Sequence, residues 1–511
     1  VTLVRPAVAR TGAGAPPQGA GAARPVRRAA LGLGALAVLV GFAGAWVPSA
    51  WGDEAATMSG ASRDLTALAT LASHVDAVHA AYYAIAHAWL AATTDSVVAL
   101  RLLSSLAVGA AVAGTVVLGD RLAGRRVGVV AGVVLLALPR LTWAATEGRS
   151  AALATAVAVW TTVILVAAVS TGRGRLAWRW VAYGVLVAAG ATLWMLLALL
   201  PVAHLAGLLW WRRSPRVLLA PAVAAGVAGL AVAPFLLAAV GQRGQVGWIP
   251  APGPRTLRQL ALDQWFGTTW WSALPVALVC WSLVAVALVT HLRRGSAGHG
   301  VVPLAAAWLA VPPVVAVAWS LVAAPLYVPK YLTFTAPALA LLVAAGLDVL
   351  VRDRRRLVAA VALVVLLCVP AWVEERTPAA KDRSDWGAVA ADVAAGARPG
   401  DAVVFSDLHD DAGRVRVPGR AIAVAYPAAF RDLLDPTRDP VAVPQGRLWD
   451  ASLRVVDVAD RLAGVERVWW VVDHRADARG VQRDDLERLG FEVVDVTSHA
   501  TADVVLLERA R

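Results

Sequence analysis

Apolar runs long enough to cross a bilayer recur through the first 372 residues, and no other feature constrains this chain as tightly. They lie near 29–50, 78–94, 98–118, 126–138, 150–170, 180–211, 217–240, 271–291, 301–320, 331–351 and 357–372. Backbone inside hydrocarbon must satisfy its own polar groups, so runs of this kind fold as helices. The chain is therefore read as a polytopic α-helical membrane protein, in agreement with a mean hydropathy of +0.64. The run 180–211 is too long for one crossing, and Pro201 marks the turn of a tight helical hairpin. The run 126–138 is short, which leaves the parity of the crossings between 51 and 150 open. The expected number of spans is about 11–13.

Charge divides the chain in two. Residues 1–372 hold 28 basic and 10 acidic side chains, whereas 373–511 hold 19 basic and 25 acidic. This gives a cytoplasmic basic leader at 1–28, a transmembrane domain at 29–372 and a soluble acidic domain at 373–511. Basic connectors stay on the cytoplasmic side. The clusters Arg173/Arg175/Arg179, Arg212/Arg213/Arg216, Arg293/Arg294 and Arg352/Arg354/Arg355/Arg356 then put the loop 51–83 and the tail outside. The expected location is the plasma (inner) membrane, multi-pass, with an extracytoplasmic C-terminal domain. The tail alternates β-rich runs at 402–405, 468–473, 492–496 and 504–507 with helix-like runs at 386–395 and 483–489, the pattern of a small α/β domain. It has no Gly-rich phosphate loop, and the dipeptide Asp473-His474 reads as a loop at a strand end. Nothing in the tail favours nucleic acid as a partner. Two cysteines, Cys280 and Cys368, in separate apolar runs support neither a disulfide framework nor a thiolate metal site.

The acids of the membrane half are concentrated. Asp53, Glu54, Asp64 and Asp76, four of its ten, fall between 51 and 83. A carboxylate at a membrane boundary needs a partner or a task. Asp53-Glu54, just beyond the first helix, has the chemistry of a general base for a hydroxyl; the plainer reading is a helix end or a cap. In His74-Val-Asp76-Ala-Val-His79-Ala-Ala-Tyr82-Tyr83, a helix starting near Asp76 sets His79 and Tyr83 four apart on one face. That cluster can hold a sugar, a phosphate or a metal, although the spacing fixes no third metal ligand; an interfacial aromatic belt is the plainer reading. Glu147-Gly148-Arg149 brings a fork able to hold two phosphate oxygens, or a pair that snorkels to the headgroups. Lys330, one of two lysines in the chain, stands on the expected outer side next to Tyr331, as a partner for a lipid phosphate or as an interface anchor. Arg101 is the remaining basic residue of the early apolar block.

In this order the motifs resemble the GT-C membrane glycosyltransferases that use polyprenyl-phosphate sugars. The resemblance covers roughly 29–372 and is to the protein O-mannosyltransferase and aminoarabinose-transferase branch and its actinobacterial relatives. His79-Ala-Ala-Tyr82-Tyr83 stands where that branch commonly has His-Pro-Pro leading to Tyr-Tyr, and Lys330-Tyr331 where it commonly has Arg-Tyr. The resemblance implies a GT-C fold and inverting transfer of mannose or another pentose or hexose from a polyprenyl-phosphate donor. The acceptor is an envelope hydroxyl on a glycan, lipid or protein. Asp53 is then the base, supported by Glu54. Arg101, Arg149, Lys330 and Tyr331 bind the donor phosphate, and His74, Asp76, His79, Tyr82, Tyr83 and Glu147 line the sugar and acceptor site. No covalent cofactor is implied, no metal ligand is assigned, and a divalent metal requirement is left open. The partners are membrane lipids, the lipid-linked sugar and the acceptor. Two other classes remain: a lipid or solute transporter (flippase), which favours internal repeats and ionisable residues near helix centres, and a non-catalytic envelope scaffold.

Overall fold

The apolar runs fold as helices whose ends follow from local chemistry. α1 (Ala20–Phe42) leads to two short helices, α2 (Gly52–Ala61) and α3 (Leu65–His74). Asp64 caps α3 by accepting from the Ala67 N–H at 2.8 Å. After α4 (Ala80–Ala92) comes α5 (Val97–Ala123), capped by Ser96 and stopped by Gly124 at φ +93°. α1 and α5 cross closely: a Cβ on Gly34 would meet the Gly109 carbonyl oxygen at 2.9 Å. Small residues permit such crossings in apolar surroundings. α6 (Arg125–Ala137) and α7 (Pro139–Ala145) follow, then α8 (Ala151–Val169), α9 (Ala177–Leu193) and α10 (Leu200–Trp210).

This computed structural model describes residues 20–170, 177–211, 214–294, 300–409, 415–439, 441, 446–473 and 479–510. Most of the leader 1–28, together with Arg173, Arg175, Arg212, Arg213 and His474, lies outside the described residues.

Among the described residues, eight helices are long and apolar enough to cross a membrane, or up to nine with a bent pair counted as one span. That is fewer than the 11–13 expected. α4, with 13 residues, and α9, with 17, are shorter than a full crossing, and Met195–Trp210 is another short apolar helix. The bent pair is α6 with α7, at 63°. Pro139 at the start of α7 breaks the run after Ala137, which accounts for the short segment 126–138. The hairpin turn in 180–211 falls at Trp194, in extended conformation; Pro201 sits in the first turn of α10, where its missing N–H costs nothing.

Pro329–Leu350 is the central span, 89% buried over its apolar window, and Val217–Gly241 is peripheral at 17%. The peripheral helix exposes Leu219, Val223, Val227, Leu230 and Leu237, an apolar face suited to lipid.

After the last long helix, Arg354–Glu374, the tail forms a four-stranded sheet in the order Ala402–Phe405, Arg467–Asp473, Ala502–Arg509, Phe491–Ser498. The first pair is parallel and the others antiparallel. The helices Trp386–Gly396 and Arg479–Arg488 complete an α/β unit close to the expected pattern. The tail is docked on the loop: Ala55, Met58 and Ala61 of α2 share one apolar core with Trp386, Val389, Phe405 and Ile422. The loop and the tail therefore sit on the same side of the helix bundle.

Candidate functional site

The loop after α1 builds two layers of charge. The inner layer is sealed. Glu54 is wholly buried, and Arg101 of α5 is 1% exposed. The Arg101 Nη2 donates to Glu54 Oε2 at 2.6 Å and its Nε to Oε1 at 2.8 Å. Its remaining donors reach the carbonyls of Ala45, Pro48 and Ser49. All five N–H groups of the guanidinium are thereby used. Glu54 Oε1 also accepts from the Gly148 N–H at 2.8 Å. Arg101 was expected to bind the donor phosphate and Glu54 to support Asp53. Arg101 has no donor left for a phosphate, and Glu54 is a structural counter-ion that clamps the loop to α5.

Glu147 belongs to the same inner layer and not to a sugar site. Its Oε1 accepts from the Trp51 indole N–H at 2.8 Å, and its Oε2 lies 3.1 Å from Lys381 Nζ. Both charged side chains of that pair are 1% exposed.

The outer layer is open. Asp53 Oδ2 lies 3.0 Å from Lys330 Nζ, with side-chain exposures of 37% and 27%. Lys330 Nζ also stands 4.5 Å from the centre of a Trp51 ring, a cation–π contact. The segment Pro329–Thr335 that carries Lys330 is a 3₁₀ helix. It is held where the Trp194 indole N–H donates to the Tyr331 carbonyl at 2.8 Å. Burial acts to raise the Asp53 carboxyl, but Lys330 and Arg149 outweigh it and bring it down to about 2. With more than a third of the side chain in water, the neighbouring cations and not desolvation set its charge.

Arg149 joins the rest. Its Nη1 donates to Thr57 Oγ1 and to the Tyr83 hydroxyl, both at 3.3 Å, and its Nη2 to His79 Nε2 at 3.0 Å. The Tyr83 hydroxyl donates to Asp76 Oδ2 at 2.8 Å. Asp76 adopts φ +58°, a left-handed conformation that Asp tolerates better than most residues. A short 3₁₀ turn, Ala77–His79, then leads into α4, so His79 and Tyr83 stack four residues apart with ring centres 6.0 Å from each other. Since His79 Nε2 accepts from Arg149, its ring is neutral. Burial, then the Arg149 charge, lowers it to about 4. Gly60 makes room for this arrangement, because a Cβ there would come within 2.4 Å of the Tyr83 ring.

The structure thus gathers Asp53, Lys330, Tyr331, Arg149, His79, Tyr83 and Asp76. It leaves out three other candidates besides Glu54 and Glu147. His74 turns back on α3, its Nδ1 2.9 Å from the Thr70 carbonyl. Tyr82 is wholly buried in an apolar cluster with Leu68, Leu71 and Leu193. Arg101 is sealed as described. Sequence reasoning missed Trp51, Thr57, Trp194 and Lys381. For Lys381 a signal was present: it is the second of only two lysines. Among the described residues, no group of three or more His, Cys, Asp or Glu side chains is placed to hold a metal ion.

The architecture is similar to that of solved membrane proteins. ArnT from Cupriavidus metallidurans bound to undecaprenyl phosphate superposes with a TM-score of 0.57 at 15% identity, covering 93% of this chain and 97% of that one. The archaeal oligosaccharyltransferase AglB from Archaeoglobus fulgidus, in complex with an inhibitory peptide and a dolichol-phosphate, gives 0.50 at 11% identity, covering 93% and 74%. The chain has the GT-C fold. No protein-family model matches the sequence, and no curated protein matches it significantly. The GT-C likeness therefore rests on three-dimensional architecture. Both charge layers are built mainly from the loop after α1 and from the membrane block, with Lys381, and Glu375 3.8 Å from it, supplied from beyond the last long helix.

Proposed function

We propose that this chain is a membrane glycosyltransferase of the GT-C type that moves a sugar from a polyprenyl-phosphate donor to a hydroxyl of an acceptor. The observation that carries the reading is one carboxylate, Asp53, set beside two cations, Lys330 and Arg149, contributed by distant parts of the chain. Two proteins of similar architecture bear lipid phosphates, undecaprenyl phosphate in one and a dolichol-phosphate in the other. This supports a lipid-linked donor here.

In this reading the acceptor oxygen bonds to the anomeric carbon from the side opposite the phosphate, so the configuration inverts. The bond from that carbon to the phosphate oxygen breaks, and its electron pair stays on the phosphate. The hydroxyl proton passes to Asp53. Lys330 and Arg149 neutralise the charge that grows on the leaving phosphate. A carboxylate held at about 2 is a weak base. An anionic donor seated between the cations shares their charge, so the Asp53 carboxyl climbs back toward its ordinary range as the donor binds. The site would then become basic only when loaded. His79 and Tyr83 position Arg149, and Trp51 positions Lys330.

The sugar is proposed to be mannose or another hexose or pentose, and the site and tail to face the outside of the plasma membrane, as the charge bias suggests. The test is a panel of labelled polyprenyl-phosphate sugars offered to the purified protein in lipid nanodiscs. Transfer or donor cleavage with one of them, lost in Asp53→Asn, is expected; silence across the panel would sink the reading. For orientation, cysteines placed at the exposed positions Ser62 and Arg431 should both react with an impermeant reagent on intact cells.

A further inference from the structure

Between the loop and the tail lies a cavity of about 350 Å³, lined by Ser59, Ser62, Arg63 and Asp64 on one side and by Arg420, Arg438, Leu448, Trp449 and Asp450 on the other. Its size is at the lower end of the roughly 300–1,000 Å³ common for small-ligand sites. Two of its lining groups are left wanting. Arg63 is 5% exposed. Its Nη2 donates to the carbonyls of Arg447 and Leu448 at 2.7 and 3.2 Å, and its Nε to the Ser59 carbonyl at 3.1 Å. Its Nη1 is buried with no hydrogen-bond partner among the described residues. Asp450 holds Arg438 Nε through Oδ2 at 2.5 Å, while its Oδ1 is buried and likewise has no partner among the described residues. A buried donor and a buried acceptor with their bonds unmade are costly to a fold, and each asks for an explanation.

The lining selects the chemistry of the occupant. Asp64 and Asp450 disfavour an anion, and Arg63, Arg420 and Arg438 disfavour a cation. Arg420 is already committed, with Nε 2.6 Å and Nη2 3.0 Å from the two Asp435 carboxylate oxygens. Trp449 and Leu448 supply an apolar wall. A ligand that both donates and accepts at adjacent atoms, bears no charge and has one apolar face meets all of these demands. A neutral sugar ring does so. The cavity also lies along the helix that carries Asp53: Ser59 is six residues further on, or roughly 9 Å at 1.5 Å per residue.

We propose that this cavity is a subsite for a neutral sugar unit of the acceptor, gripped jointly by α2 and the tail. The inference rests on the transferase reading, because only that reading makes the occupant an acceptor. The tail then recognises glycan while the loop performs the transfer.

The experiment uses the full-length protein in nanodiscs and measures binding of neutral trisaccharides of mannopyranose, arabinofuranose, galactofuranose and glucopyranose by saturation-transfer NMR and titration. At least one is expected to bind, at least tenfold more weakly in Trp449→Ala and in Asp450→Asn, and unchanged in Asp53→Asn. With that trisaccharide as acceptor, KM should rise in the two cavity variants while kcat holds. Thermal midpoints accompany each variant; if Trp449→Ala lowers the midpoint, Asp450→Asn alone decides. The proposal is overturned if no neutral sugar binds, if both cavity variants bind as the parent does, or if inorganic phosphate or a peptide displaces the sugar at lower concentration. Sugar binding with the expected variant pattern, but without turnover of any lipid-linked donor, upholds the sugar site and strikes only the transferase reading.

Discussion

Asp53 and Glu54 are neighbours in sequence and opposites in structure. A helix turns its successive side chains about 100° apart, and that rotation sends one carboxylate outward and the other into the protein. Glu54 meets an arginine with all five donors spent, and both side chains are buried. Asp53 meets a lysine that a ligand could still reach. The same division separates Glu147–Lys381, sealed at 1% exposure, from Arg149 two residues later. Ion pairing alone does not mark chemistry. What separates the two layers is whether the pair is shut away from solvent or still within reach of it.

The largest expected effect falls on the sealed layer. Arg101→Met leaves Glu54 buried without its counter-ion and should cost about 3–5 kcal/mol of stability, read as lost expression or a lowered melting temperature. Glu54→Gln should behave in the same direction. If either variant folds like the parent, the contrast between the layers collapses.

Next comes the open layer. Asp53→Asn should lower transfer about a hundredfold or more, the usual contribution of a positioned base, with the melting temperature unchanged. The comparison breaks if Asp53→Asn unfolds the protein or retains the parental rate.

Smaller effects belong to the cations. Lys330→Ala and Arg149→Ala should each weaken donor binding by about 1.5–3 kcal/mol, the range for a charge-assisted hydrogen bond, measurable by titration with the lipid-linked donor or with polyprenyl phosphate. Arg101 cannot serve as a control here, since its loss acts on the fold first.

The smallest effect concerns pH. His79 is lowered to about 4 from an ordinary 6.5, so between those values the unfolded chain binds a proton that the folded one refuses. Stability contributed by the neutral ring is whole above 6.5 and drains away as pH falls through that window. His79→Gln should flatten the acid slope of the melting temperature between 6.5 and 4. An unaltered slope would mean that burial and Arg149 do not hold the ring neutral.

Much of this architecture was legible. Hydropathy located the long helices, and charge asymmetry separated the tail. The i, i+4 relation of His79 and Tyr83 followed from helical geometry, and the anomalous position of Lys330 singled it out. What stayed hidden depended on pieces far apart in the chain. Nothing local distinguishes Arg101 from Arg149: each borders an apolar run, and only tertiary packing spends the donors of the first. Trp194 breaks a continuous apolar stretch without any Gly or Pro of its own, and Pro201 drew the expected turn toward itself. The 63° bend between α6 and α7 appeared in sequence only as a span too short to explain, although Pro139 stood at its hinge.

The buried contact between Glu147 and Lys381 has a consequence for the order in which the molecule is made. Chains fold progressively during synthesis, at about 5–20 residues per second, and every membrane helix precedes residue 381. Until that lysine arrives, Glu147 lacks the cation that lets it lie buried and anchor the Trp51 indole, and so the shelf beneath Lys330 is incomplete. A nascent chain that has finished threading the bilayer is consequently still without a set site. The inner layer is closed by the first residues of the tail, ahead of every strand of the α/β domain in the order of synthesis.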